Sequence, residues 1–115
     1  MTKDEKIQHL TNIAYEISEI EAEVEEATYD EFISEEQIKE SVYSHLQMMG
    51  KAAYQLSLDT EKEEMDFDPK LLSNFRNVRY KQMAEIDHAN IWYIITNDLI
   101  QLKDTINREA AKITL

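Results

Sequence analysis

Residues 3–27 read KDEKIQHLTNIAYEISEIEAEVEEA, and the apolar spacing of this stretch decides the fold. Ile7, Leu10, Ala14, Ile17, Ile20, Val24 and Ala27 recur in steps of three and four, which lays one apolar stripe along a helix. Just ahead, Thr2 and Glu5 have capping-box spacing, so a hydroxyl and a carboxylate can satisfy backbone N–H groups of the first turn. The opposite face carries Glu16, Glu19, Glu21, Glu23, Glu25 and Glu26 and reads as a solvated surface.

Working outward, Thr28-Tyr29-Asp30-Glu31-Phe32 is a second Thr-x-x-Glu and predicts a short helical turn anchored by Tyr29 and Phe32. A third box, Ser34-x-x-Gln37, opens a helix with Ile38, Val42, His45, Leu46, Met49, Ala53 and Leu56 on one face. Gly50 sits inside that pattern. A glycine in a helix interior costs about 1 kcal/mol relative to alanine, so a close helix–helix approach is expected there. From Ser57 to Asp68 the periodicity fails and Asp59, Glu61, Lys62, Glu63 and Glu64 dominate, which predicts a loop. Asp68-Pro69 then reads as an N-cap followed by proline at the first helical position, with Leu71, Leu72, Phe75 and Val78 as a buried side. Asp87 caps a last helix from about His88 to Ile113, striped by Ile91, Trp92, Ile95, Leu99, Leu102, Ile106 and Ile113. Three long amphipathic helices with one or two short ones predict an all-α antiparallel helical bundle, one domain over residues 1–115.

Composition agrees with that architecture. The chain has 115 residues, 43% of them hydrophobic, which fits one domain with a core. A single Gly and a single Pro disfavour the tight turns of a sheet-rich fold. Without cysteine there is no disulfide, thiolate zinc site or cysteine nucleophile, and a reducing compartment fits. Met1 to Lys6 lack the apolar core of a signal peptide, and no apolar run approaches the roughly 20 residues of a membrane span. The expectation is a cytoplasmic protein without membrane attachment.

The net charge of −12 is unevenly spread. Residues 1–64 hold 17 acids and 5 bases, whereas residues 65–115 hold 7 of each. Within the second part, Pro69 to Ala84 contains Lys70, Arg76, Arg79 and Lys81 and no acid. The global charge excludes a general polyanion binder, since phosphate recognition needs a positive footprint, but it leaves room for a local one.

Most catalytic chemistries are absent from the sequence. One glycine cannot build a phosphate loop, and no serine has a His/acid setting. Glu85-x-x-His88 is one metal-binding pair where a di-iron bundle needs two, so no metal and no cofactor is expected. His9 stands four residues after Glu5 and can pair with it, while His45 reads as a partly buried core histidine. The segment Asn74-Phe75-Arg76-Asn77-Val78-Arg79-Tyr80-Lys81 differs from all of these. Its two guanidinium groups, ammonium and phenol suit an RNA backbone with an unstacked nucleotide. Equally, these cations have the acidic first half of the same chain available as partners.

The order of features resembles the HepT-like branch of the HEPN superfamily, small helical proteins usually encoded beside a minimal nucleotidyltransferase. The likeness spans nearly the whole chain. It rests on Tyr29-Asp30-Glu31-Phe32, on Leu46-Gln47-Met48-Met49-Gly50-Lys51-Ala52-Ala53, where Lys51 replaces the usual Glu, and on Phe67 through Arg76-Asn77. It continues through Ile86-Asp87, Ile91-Trp92 and Asn97-Asp98-Leu99. The resemblance implies a homodimeric, metal-independent endoribonuclease toxin with an Arg-Asn-x-x-x-His-x-Tyr motif, its nucleotidyltransferase antitoxin attaching AMP to the tyrosine. Arg76 and Asn77 match; Lys81 occupies the histidine position and Met83 the tyrosine position, with Tyr80 three residues earlier. Arg76, Asn77 and Lys81 are thus the candidate catalytic set, with Arg79, Tyr80 and Lys70 as RNA or nucleotide contacts. Lysine at an unperturbed pKa of about 10.4 holds its proton where histidine exchanges it, so weak or lost cleavage is expected. Two other readings compete: an acidic interaction protein that binds the nucleotidyltransferase, and a bundle that only oligomerises.

Overall fold

The computed structural model describes residues 1–59, 65–77 and 88–114, and those residues contain helices and connecting segments without a strand. Helix α1 spans Lys3–Glu25, α2 Tyr29–Ser34 and α3 Glu36–Asp59. Further along the chain, α4 (Pro69–Ser73) runs directly into a 3₁₀ turn, Asn74–Asn77. The last long unit is helical from end to end: α5 (His88–Tyr93), a π turn (Ile94–Asp98) and α6 (Leu99–Thr114). The protein is an all-α helical bundle.

Helix α1 is the centre of the bundle because it packs against both α3 and α6. That double contact widens its buried face. Ile13 is fully buried beside Leu10, Ala14, Ile17, Ile20 and Val24, although the sequence stripe leaves it out. Polar pairs set the register. Glu23 accepts from the Ser41 hydroxyl at 2.7 Å, and Glu16 meets His45 Nδ1 at 2.5 Å. Rising numbers on α1 match falling numbers on α3, so the two run antiparallel. On the other flank Lys103 of α6 donates to Glu21 at 2.9 Å. A partly exposed pair of this kind contributes at most about 1 kcal/mol. Three members of the acidic face expected to be solvated therefore clamp α1 to its neighbours instead.

The caps follow the sequence unevenly. Thr28 and Glu31 form the full reciprocal box at the start of α2. At α1 only half forms: Thr2 accepts from the Glu5 amide, but the Glu5 carboxylate takes the Thr2 hydroxyl hydrogen rather than a backbone N–H. The third box fails. Ser34 is the last residue of α2, and α3 opens after Glu35, whose carbonyl accepts from the Lys39 amide. Asp68 caps α4 as expected, accepting from the Lys70 amide at 2.9 Å ahead of Pro69. The buried side of α4 is Pro69 and Leu72, with Phe75 half-buried, whereas Leu71 is 68% exposed, contrary to expectation. Helix α3 continues to Asp59, past the loss of periodicity at Ser57. Val78 and residues 60–64 lie outside the described residues, as do Glu85 and Asp87.

The π turn in the last helix has no counterpart in the sequence reading. The buried residues Ile91, Ile95 and Leu99 of this last helical unit are spaced four apart twice running. Such steps drift around a regular helix of about 3.6 residues per turn, and one widened turn takes up the drift. Thr96 and Asn97 satisfy the carbonyls of Trp92 and Tyr93 from within it. Glu109, buried on α6, accepts from the Asp66 amide and from Lys112, tying the entry to α4 onto the last helix. Hydrogen bonds to Glu109 and then Asp66 hold the Lys112 ammonium above its ordinary range.

Phe32 locks α2 over α3 and α5. It is fully buried, with ring centroids 6.2 Å from Tyr43, 6.5 Å from His88 and 5.2 Å from Trp92. Tyr29 touches only the edge of Trp92 and stays 38% exposed. Tyr43 Oη lies 2.6 Å from His88 Nδ1, so His88 joins the aromatic cluster. Burial, aided by the Tyr29 phenol, pushes Tyr43 up to about 12. An unfolded phenol releases its proton near pH 10, while the folded one keeps it. The stability Tyr43 contributes is thus intact below about pH 10 and lost by about pH 12. Urea midpoints measured from about pH 9 upward are expected to fall less steeply in Tyr43→Phe than in the wild type. Parallel slopes would contradict this.

Candidate functional site

The site is built on one absent side chain. Gly50 lies in α3 with no positive φ, so backbone conformation does not require glycine there. A Cβ at this position would sit 2.2 Å from the Arg76 nitrogen, 2.6 Å from the Phe75 carbonyl carbon and 2.8 Å from the Arg76 Cα. The close approach expected from Gly50 is real, but its partner is the 3₁₀ turn rather than a long helix. Hydrogen in place of methyl lets the chain of Phe75 and Arg76 lie directly on α3.

That contact aims Arg76. Its Nη1 donates to the Ser73 carbonyl at 2.8 Å, and the buried Ser73 hydroxyl lies 3.4 Å away. The guanidinium carbon stands 4.2 Å from the centroid of the Tyr54 ring. Tyr54 follows Gly50 by four residues and so shares its helix face. A planar cation held by a carbonyl and an aromatic face has lost most of its rotamer freedom before any ligand arrives. Asn77 ends the turn beside it, exposed to solvent.

Arg76 also forms part of the wall of a groove of about 520 Å³ between α1 and α3. His9, Tyr15 and Glu16 come from α1, and Met48, Lys51 and Tyr54 from α3. Glu16 is the residue already engaged by His45, which makes His45 a half-buried partner of a carboxylate, in keeping with its expected role. Among the described residues no three His, Asp or Glu side chains gather as a metal site. No helix among them is long and apolar enough to cross a membrane.

Of the residues singled out from sequence, Arg76 and Asn77 are adjacent on the turn, and only Arg76 lines the groove. Lys70 is exposed on α4, where its amide meets Asp68 and its carbonyl accepts from Ser73, away from the groove lining. Arg79, Tyr80, Lys81 and Met83 lie outside the described residues. Sequence reasoning missed Tyr54, Ser73 and the α1 wall. The signal for Tyr54 was available, since whatever lies against Gly50 also meets the residue one turn on.

A family model described as ribonuclease HepT-like matches residues 13–109, most of the chain. The chain belongs to this family. The match covers α1 from Ile13, the Gly50 contact, the Arg76-Asn77 turn and the last helix up to the buried Glu109. No curated protein and no solved structure matches this HepT-like chain. Membership makes it a ribonuclease-related helical protein.

Proposed function

We propose that this HepT-like protein forms a homodimer whose two Arg76–Lys81 segments face one cleft and bind RNA or nucleotide, with endoribonuclease activity weak or lost. The observation that carries it is Arg76, fixed by Ser73 and Tyr54 beside an exposed Asn77, as the first member of an Arg-Asn pair in a ribonuclease-like family. Arginine supplies a donor fork matched to phosphate. Lys81 supplies charge for the scissile phosphate but not the proton exchange that attack by a 2′-hydroxyl requires. A cytoplasmic setting fits the cysteine-free sequence.

The test is incubation of the purified protein with structured RNA. The wild type is expected to bind without appreciable turnover, and Arg76→Ala to weaken binding about tenfold or more, the worth of a hydrogen bond to a charged group. Lys81→His is expected to gain cleavage that a second Arg76→Ala change removes. Efficient wild-type cleavage abolished by Arg76→Ala would overturn the inactive assignment.

A second reading has its own observation. Glu19, Glu23, Glu26 and Glu31 surround a hollow of about 400 Å³ where α1, α2 and α3 meet. Such a surface suits a basic partner, and a minimal nucleotidyltransferase antitoxin is the proposed one. Met83 has no hydroxyl to accept AMP, and Tyr80, three residues earlier, is the proposed substitute. Co-purification that is lost on reversing Glu19 and Glu26 to Lys, with Arg76→Ala neutral, would favour this reading.

A further inference from the structure

The groove that Arg76 borders extends across α1 to residues no ribonuclease motif contains. Resting on the RNA-binding reading above, we infer that this groove is a subsite for one nucleotide of single-stranded RNA. Its base lies against Tyr15, and its phosphate meets Lys51 and Arg76.

Charge points to an anion here. The chain carries a net −12, yet the groove joins Lys51 and Arg76 to a single carboxylate, Glu16, which is already paired with His45. A polyanion repelled by the surrounding acids is steered to this opening. Aromatic chemistry points to a base. Tyr15 is 58% exposed although it lines the groove, so one ring face is open to stacking. Gln55 and Asn12, whose oxygen also accepts from Gln8 at 3.0 Å, offer carboxamide groups to a base edge from opposite walls. A groove of about 520 Å³ has room for a nucleotide. Bases in duplex RNA remain stacked and out of reach, which leaves an unpaired strand.

The experiment is fluorescence anisotropy on the full chain with 5′-labelled hexauridylate and hexaadenylate RNA, comparing wild type, Tyr15→Ala, Lys51→Glu and Arg76→Ala. Tyr15 and Lys51 are exposed, so both variants are expected to melt with the wild type. Each is expected to weaken binding about tenfold, with Lys51→Glu also flattening the salt dependence by about one phosphate contact. An unlabelled duplex of the same length is expected not to compete. If only Arg76→Ala reduces binding, the groove assignment is wrong and the cleft reading survives. If the wild type binds no RNA, both fail. Competition by AMP as strong as by the oligonucleotide would overturn the strand assignment in favour of a free nucleotide. If Tyr15→Ala instead dissociates a dimer and leaves RNA affinity unchanged, the groove is an interface between copies and the inference is overturned.

Discussion

Replacing Gly50 with alanine is expected to lower the melting temperature by about 10 °C and to abolish Arg76-dependent RNA binding. Two effects oppose each other. Helix propensity alone favours alanine by about 1 kcal/mol in a helix interior. Against it stands a methyl placed 2.2 Å from a backbone nitrogen, with two further backbone atoms of the same turn inside 3 Å. No flexible side-chain end can swing aside. The whole 3₁₀ turn must lift from α3, and overpacking of that severity costs about 3 kcal/mol, the upper end of its usual range. The net loss of about 2 kcal/mol corresponds to roughly 10 °C for a domain of this size. Thermal unfolding followed by circular dichroism checks the sign. A higher melting temperature would mean that the turn yields at no cost and that Gly50 does not position Arg76.

Phe32→Ala is expected to be the more damaging change to stability. The ring is fully buried and is shared by Tyr43 of α3, His88 of α5 and Trp92 beside it. Removing it forfeits transfer energy and leaves a cavity, together about 3–5 kcal/mol. Aromatic neighbours held by the Tyr43–His88 hydrogen bond cannot collapse readily into the space, which places the loss toward the upper figure. The melting temperature is expected to fall on the order of 20 °C, with Phe32→Leu recovering about half. Urea unfolding of both variants measures it. A loss below about 1 kcal/mol would show that α2 is not anchored by this ring. Tyr29→Ala, at a half-exposed edge contact, is expected to cost far less.

Much of this protein was legible because periodicity records burial. The stripes of α1, α3 and the last helix, and the caps at Thr28 and Asp68, are local patterns that local physics satisfies. The pattern misleads where an element has more or fewer packing neighbours than a single stripe implies. Ile13 is buried because α1 has two packing partners, and Leu71 is exposed because α4 presents only a narrow side to α3. The π turn answers an accumulated drift that no short window reveals. At the site, Arg76 and Asn77 were visible as a motif, and Gly50 was visible as an anomaly. That these two signals describe one contact was not visible, since the end of α3, residues 60–68 and α4 separate them along the chain.

Sequence by itself determined the apolar stripes of the long helices, the acid-free basic stretch from Pro69 to Ala84, and the adjacency of Arg76 and Asn77. These are properties of residue type and spacing. Only the tertiary structure decided where Arg76 points. Its direction depends on a glycine hydrogen, a serine carbonyl and a tyrosine face brought together from two separate helical segments, and such a convergence is set by packing distance, which no one-dimensional pattern contains.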